Sequence, residues 1–222
     1  MRSSVDITNH STMKPTQLAL VSVLGVAAAD NSRYWNFYID SASGPGCYWG
    51  GEHPLTLGIN GQTWPLDSEL QKLSFDYQAL AQSLGPKAGD TTWCDVTVSY
   101  AGAVGQNIDE SRRLVVHSNG TTITARYALD SAASLRWDVS YVAGKDGKLP
   151  TDQVDTINVS GPLTTEVARS SDLSSGLKLP ICGQDYFKFR TQLTRLTPAK
   201  TNEVIVTDGI SQDITLKSTT CS

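Results

Sequence analysis

Seven consecutive residues, Cys94-Asp95-Val96-Thr97-Val98-Ser99-Tyr100, alternate without exception between apolar and polar side chains. A repeat of two is the side-chain period of a β-strand. Cys94, Val96, Val98 and Tyr100 therefore share a face that something apolar must cover, while Asp95, Thr97 and Ser99 face water. The same period returns at 73–80, where Leu73, Phe75, Tyr77 and Ala79 line up, and at 135–142 with Leu135, Trp137, Val139 and Tyr141. In 186–196, Phe187, Phe189, Thr191 and Leu193 alternate against Tyr186, Lys188 and Arg190. Asn60-Gly61 and Asn119-Gly120 each stand between apolar runs, the strongest short signal for a hairpin. Residues 155–159, 163–167, 204–207 and 213–217 read as further short strands, and 106–113 as one or two helical turns. With no βαβ spacing and no long helical period, the fold expected is all-β, an antiparallel β-sandwich with a barrel as its closed variant.

A second pattern begins at Met13. Lys14 supplies a positive start, residues 18–26 an apolar run, and Ala27-Ala28-Ala29 a small-residue exit, in the order of an export signal. Extended through Ala29 the apolar stretch is about 12 residues, short of the roughly 20 that a membrane-crossing helix needs, so no membrane anchor is expected. The expected organisation is an extra segment at 1–12 from an upstream start, a signal peptide at 13–29, and a single secreted β-sandwich domain at 30–222. Cleavage after Ala29 leaves 193 residues with 16 basic and 21 acidic side chains. That length suits one sizeable core. The mild negative balance, with no long basic run, gives no electrostatic footprint for nucleic acid or an anionic membrane.

Cys47, Cys94, Cys182 and Cys221 all lie beyond the signal, too far apart for a zinc ribbon or a C-x-x-C redox pair. An even number in an exported chain implies a disulfide framework, which for four cysteines admits three connectivities. The serial pairing Cys47–Cys94 and Cys182–Cys221 is favoured, because each bridge then closes a loop of about 40 to 50 residues in its own half of the chain, worth about 4 kcal/mol by loop entropy.

Several of these features recur together elsewhere. Gly46-Cys47 follows a glycine-rich run, Leu73-Ser74-Phe75-Asp76-Tyr77 precedes Gly85-Pro86, Cys94 opens its alternating strand, Cys182-Gly183 comes late, and Cys221 stands at the end. In these the chain resembles the secreted family called domain of unknown function 4360, small fungal and bacterial proteins with a signal peptide and four cysteines. The likeness spans nearly all of the expected secreted part, although Tyr48-Trp49-Gly50 stands where that family more often has proline and small residues. It implies secretion and a β-rich fold, and it carries over no catalytic residue.

Chemistry has few footholds. Only His53 and His117 follow the signal. His117, beside Asn119-Gly120, reads as a surface or turn residue, and His53, between Glu52 and Pro54, as a loop residue. Asp152 with Asp155, and Asp208 with Asp213, come nearest to a calcium pattern, but neither forms an EF-hand loop. There is no G-x-S-x-G elbow and no phosphate loop. No cofactor, metal site or catalytic residue is assigned. Glu52, Asp67, Asp76, Asp95, Asp138 and Glu166 are the carboxylates from which a glycosidase pair, about 5 to 9 Å apart, would be drawn.

Aromatic residues crowd the N-terminal half: Tyr34, Trp35, Tyr38, Tyr48, Trp49, Trp64 and Trp93. Burial around the Cys47–Cys94 bridge accounts for most of them. Tyr48 and Trp49, in a glycine-flanked loop, are the candidates for an exposed binding platform. Asn119-Gly120-Thr121 and Asn158-Val159-Ser160 are N-glycosylation sequons, with Asn119 and Asn158 the acceptors. The function expected is that of a noncatalytic small secreted protein binding cell-wall polysaccharide or an extracellular protein partner. The alternative is an extracellular polysaccharide-acting hydrolase using a carboxylate pair.

Overall fold

Wherever the period of two persists, the chain is strand. The structure, a computed structural model, describes residues 33–47, 56–57, 64–65, 71–77, 79–104, 106–151, 154–171, 176–198 and 209–221. The expected signal peptide, Tyr48, Trp49, Glu52, His53, Asp67, Asn60-Gly61, Asp152, Asp208 and the strand at 204–207 lie outside them. The described residues all fall within one compact unit, Asn31–Ser222.

The first strands are β1 (Arg33–Ser43), β2 (Thr56–Leu57), β3 (Trp64–Pro65), β4 (Gln71–Tyr77), β5 (Thr91–Val104), β6 (Asn107–Ile108) and β7 (Arg112–Arg126). They are followed by β8 (Ser134–Ala143), β9 (Val154–Ser160), β10 (Glu166–Ser170), β11 (Leu177–Lys178), β12 (Gln184–Arg195) and β13 (Ile210–Thr220). A seven-stranded sheet runs β3-β1-β5-β12-β8-β9 with β6 beside β5, and a six-stranded sheet runs β10-β7-β13-β4-β2 with β11 beside β7. Every pairing is antiparallel. The two sheets pack face to face, and the fold is the all-β antiparallel sandwich that the alternation implies.

The inner faces make the core. From the larger sheet come Trp35, Phe37, Val96, Val98, Trp137, Val139, Phe187 and Phe189, and from the smaller one Leu73, Phe75, Ile123 and Ile214, all buried. Phe75 meets Phe189 edge to face across the layers, with ring centroids 4.7 Å apart. Burying each such side chain stabilises by roughly 1.5–3 kcal/mol. Both expected disulfides are present. Cys47–Cys94 fastens the end of β1 to its neighbour β5, whereas Cys182–Cys221 ties the approach to β12 in one sheet to the end of β13 in the other. Backbone bonds from Gly183 N to Arg112 O and from Cys221 N to Ser111 O, both 2.9 Å, close the same end of the sandwich.

Local turn signals misled in two places. Asn119-Gly120 is a bulge inside the continuous strand β7. Both arms of β7 pair with β13, and residues 117–120 stand between partners that leave only Thr215 opposite them. The Thr215 hydroxyl fills the gap, accepting from Asn119 N at 2.9 Å and donating to Gly120 O at 3.3 Å. The positive φ that Asn-Gly favours is spent on that bulge, with Gly120 at 75° and His117 at 49°. At Asn60-Gly61, the described parts of the flanks go to different sheets, β2 onto β4 and β3 onto β1, so they do not form a hairpin with each other. Residues 106–113 hold β6 and the start of β7 in place of helical turns. The strand expected at 163–167 is displaced to β10, with Leu163 making a single bridge to Leu129.

Peptide mapping without reduction should recover Cys47 joined to Cys94 and Cys182 joined to Cys221. Replacing both cysteines of either bridge with serine should lower the unfolding free energy by about 2–5 kcal/mol. A Cys47–Cys182 link would contradict this strand register.

Candidate functional site

The outward phase of the larger sheet is the polar one, and register sets its residues in rows. Tyr38 on β1 and Tyr186 on β12 both pair with Ser99 on the strand between them. Two aromatic side chains thus stand on either side of a serine, two strand spacings or about 9–10 Å apart. The space between them is a cleft of about 370 Å³, with Ser99 and Ala101 as floor and Gln184 and Asp185 on its rim. Tyr38 is 59% exposed, unusual for a large ring in mid-strand. Beneath the cleft the Tyr100 hydroxyl donates to Ile181 O at 3.5 Å. Burial above all, with Asp185 adding, pushes its pKa up, so it stays protonated.

A strap borders this cleft. A register shift in β1 between Ile39 and Ser41 leaves Asp40 without a strand partner. Asp40 instead binds Lys145 Nζ at 3.0 Å. Lys145 comes from the turn after β8 and lies over the Tyr186 ring, 4.8 Å from its centre. Lys188 donates to Gly147 O of the same turn at 3.1 Å, so the turn is held against β12 from two points.

Further along the same face, Trp93, Gln192, Asp138 and Thr156 form one row across β5, β12, β8 and β9, and Asp95, Arg190, Ser140 and Val154 the next. Arg190 grips Asp95 with two parallel bonds, Nε to Oδ1 at 2.6 Å and the terminal nitrogen to Oδ2 at 2.8 Å. Its guanidinium also lies 4.1 Å over the Trp93 ring. That ring in turn rests on Gly44, where a Cβ would come within 2.5 Å of it and φ is +131°, so only glycine fits. Arg136 Nε donates to Asp138 Oδ2 at 2.8 Å, and the Thr156 hydroxyl to Asp138 Oδ1 at 2.9 Å. A second concavity of about 380 Å³ opens over Arg136, Asp138, Gln192 and Arg190.

Between the sheets runs a different set of polar groups. His117, expected at the surface, is fully buried, because the bulge turns it into the sandwich. Its ring stacks on Tyr141, centroids 4.2 Å apart, and its Nδ1 lies 3.9 Å from Asp155 Oδ1. The Thr121 hydroxyl donates to Asp155 Oδ2 at 2.8 Å and meets the Tyr141 hydroxyl, while Ser171 Oγ accepts from Thr121 N at 3.0 Å. Beyond lies a second group, with the Tyr77 hydroxyl 3.1 Å from Gln212 Oε1 and 3.0 Å from the Thr191 hydroxyl. Burial lowers the His117 pKa to about 4 and raises that of the Asp155 carboxyl, though bonds from Thr121 and Ser171 oppose the latter. The set has the composition of a catalytic triad, but His117, Thr121 and Asp155 are each at most 1% exposed, so no substrate reaches them.

The other residues singled out from sequence scatter. Asn119 and Asn158 are exposed, the first in the β7 bulge and the second on β9 at the edge of the larger sheet. Asp95 and Asp138 face outward on the larger sheet, Asp76 and Glu166 belong to the smaller one, and Asp155 is in the core. Asp213 bonds Ser74 at 2.5 Å and Lys72 at 3.6 Å. Among the described residues no group of three or more metal-binding side chains converges. Tyr186 and Trp93 gained a role that composition did not reveal, yet the signal was present. Both rings fall on the hydrophilic phase of their strands, in step with Lys188 and Arg190 and with Asp95 and Thr97.

No family model and no curated protein matches the chain. Among solved structures it is similar to an arabinose-bound α-L-arabinofuranosidase, MgGH51, at 11% identity and a TM-score of 0.32, covering 81% of this chain and 23% of that one. A Clostridium thermocellum xylanase 10B with CBM22-1 and GH10 modules, complexed with xylohexaose, gives 12% and 0.25 over 82% of this chain and 26% of that one. A black queen cell virus structure gives 12% and 0.23 over 100% and 85%. The chain spans about a quarter of the length of the first two. Similarity this low carries no argument about function.

The buried histidine has a measurable consequence. An unfolded chain protonates its histidine near 6.5, while folded His117 stays neutral down to about 4. Stability is therefore full above pH 6.5 and falls as pH drops through that window, by on the order of 3 kcal/mol. Asp155 acts in the opposite sense, its raised pKa giving a contribution that is present at low pH and lost as pH rises. His117→Asn, which keeps a residue tolerant of positive φ, should flatten the slope between pH 6.5 and 4 in urea denaturation. An unchanged slope would place the titrating group elsewhere.

Proposed function

We propose that the protein is a noncatalytic extracellular glycan-binding protein that takes its ligand on the outer face of the seven-stranded sheet. The observation that carries this reading is the cleft between Tyr38 and Tyr186 over Ser99. A sugar ring presents C–H faces and hydroxyl edges. Tyrosine rings suit the faces, and the Gln184 amide and the Ser99 hydroxyl suit the edges. The walls stand on three paired strands, so little order has to be gained on binding, and the volume is that of a small-ligand site. Tyr48 and Trp49, the candidates expected from the sequence, lie outside the described residues.

Among the described residues, several features favour binding over hydrolysis. Asp95 and Asp138 are committed to Arg190 and Arg136. Asp76 on β4 and Glu166 on β10 are separated by two intervening strands, about 14 Å across the sheet, beyond the reach of a glycosidase pair. Two disulfides accord with an oxidising compartment and hence with export past the residue 13–29 signal. Asn119 and Asn158 then become glycan acceptors. The Thr121 hydroxyl of the first sequon is buried, so addition at Asn119 precedes folding.

Tyr38→Ala and Tyr186→Ala are expected to weaken retention on insoluble chitin or β-glucan by about tenfold or more. Tyr38→Ala should leave the melting temperature within about 2 °C, because that ring contributes little to the core. Undiminished retention by both variants, or no retention of the wild type on either polymer, contradicts the reading.

A further inference from the structure

The second concavity on the outer face differs in chemistry from the tyrosine cleft. We propose that it binds a carboxylate-bearing sugar, the uronic-acid residue of an acidic polysaccharide, through the guanidinium groups of Arg136 and Arg190. This adds a site to the glycan reading, and rests on it only in taking the ligand to be a sugar.

Among the described lining residues the cationic donors outnumber the carboxylates. Each guanidinium carries five N–H donors. Arg136 commits its Nε to Asp138, and Arg190 commits two nitrogens to Asp95. Among the described residues Asp138 is the sole carboxylate in the lining, and its two oxygens already accept from Arg136 and Thr156. Asp95 balances Arg190 from outside the lining, so the described part of the cavity wall presents two cations to one anion. The hydroxyls of a neutral sugar can accept from these donors but bring no opposite charge, whereas a carboxylate accepts bidentately from a guanidinium and balances its charge. A doubly charged anion would crowd Asp138.

The donors are also fixed in place. Arg190 is pinned by the paired bonds to Asp95 and by its stack on Trp93, with its side chain only 17% exposed. Arg136 is held against Asp138, with its side chain 42% exposed. Such preorganisation spares the cost of ordering long side chains on binding. Pro150 and Val154 supply apolar contact for a ring face, and Gln192 an amide for its hydroxyls. These features together describe a pyranose with one carboxylate better than a bare anion. Asn158 pairs with Arg136 across β8 and β9, so a glycan there would stand beside the cavity.

The test uses the secreted protein with both disulfides intact, before and after enzymatic deglycosylation, titrated calorimetrically with D-galacturonate, D-galactose and acetate at low salt. Galacturonate should bind at least about tenfold more tightly than either galactose or acetate. Arg136→Gln should weaken galacturonate by about ten- to a hundredfold while leaving retention on chitin or β-glucan unchanged. Tyr186→Ala should do the reverse. Equal affinity for galacturonate and galactose, or an Arg136→Gln variant that binds galacturonate as the wild type does, overturns the proposal even if the tyrosine cleft holds neutral glycan. Equal affinity for galacturonate and acetate overturns its sugar component. Uronate binding lost in Arg136→Gln, with no retention on neutral polymers, supports this site and removes the tyrosine cleft.

Discussion

β5 and β12 pair over eleven residues at the centre of the larger sheet, and most of the molecule follows from the two-faced character of that pair. Their inward residues, among them Val96, Val98, Phe187 and Phe189, are completely buried and oblige a second sheet to cover them. Their outward residues cannot be apolar in number without exposing a large apolar patch, and apart from Ala101 and two aromatic rings they are serine, threonine, aspartate, lysine, arginine and glutamine. Against that background the outward Trp93 and Tyr186 are exceptions. Because a paired strand cannot turn one residue to its other face without a shift of register, the outward rows hold polar and aromatic groups in a fixed pattern, which is what a binding surface needs.

The interior is not wholly apolar, and its polar groups cross from sheet to sheet. Thr121 and His117 on β7 meet Tyr141 on β8 and Asp155 on β9. Tyr77 on β4 and Gln212 on β13 meet Thr191 on β12. An apolar sandwich tolerates sliding of one sheet over the other, but these groups do not, because each would lose its partner in a low-dielectric interior. The network therefore fixes the alignment of the layers more than it adds to their affinity. The Cys182–Cys221 bridge fixes the same alignment covalently at one end.

Much of this was legible in the sequence, for a physical reason. The period of two in 94–100, 135–142 and 186–193 is a local property that tertiary packing has no cause to override, and the inward residues came out as the alternation indicated, while Thr97 and Ser140 on the outward phase are covered by their neighbours. Cysteine spacing indicated the pairing because each bridge closes a loop within its own half of the chain, Cys47–Cys94 beside neighbouring strands and Cys182–Cys221 between the sheets. Asn119-Gly120 was misread because a positive φ serves a bulge as well as a hairpin, and only the register with β13 distinguishes them. The burial of His117 follows from that bulge and was hidden with it. The tyrosine cleft was illegible because Tyr38 and Tyr186 are 148 residues apart and meet only through their common neighbour Ser99, although the phase of Tyr186 in its strand marked it as outward.

The proposed role of the outer face is tested most directly by nuclear magnetic resonance of the labelled protein titrated with soluble chito- and β-gluco-oligosaccharides. Amide shifts should move at Tyr38, Ser99, Ala101 and Tyr186 and stay still at the inward Ile123 and Ile214 of the opposite sheet. Shifts confined to the smaller sheet, or a saturating ligand that leaves the row through Ser99 unmoved, would contradict a binding surface on β5 and β12.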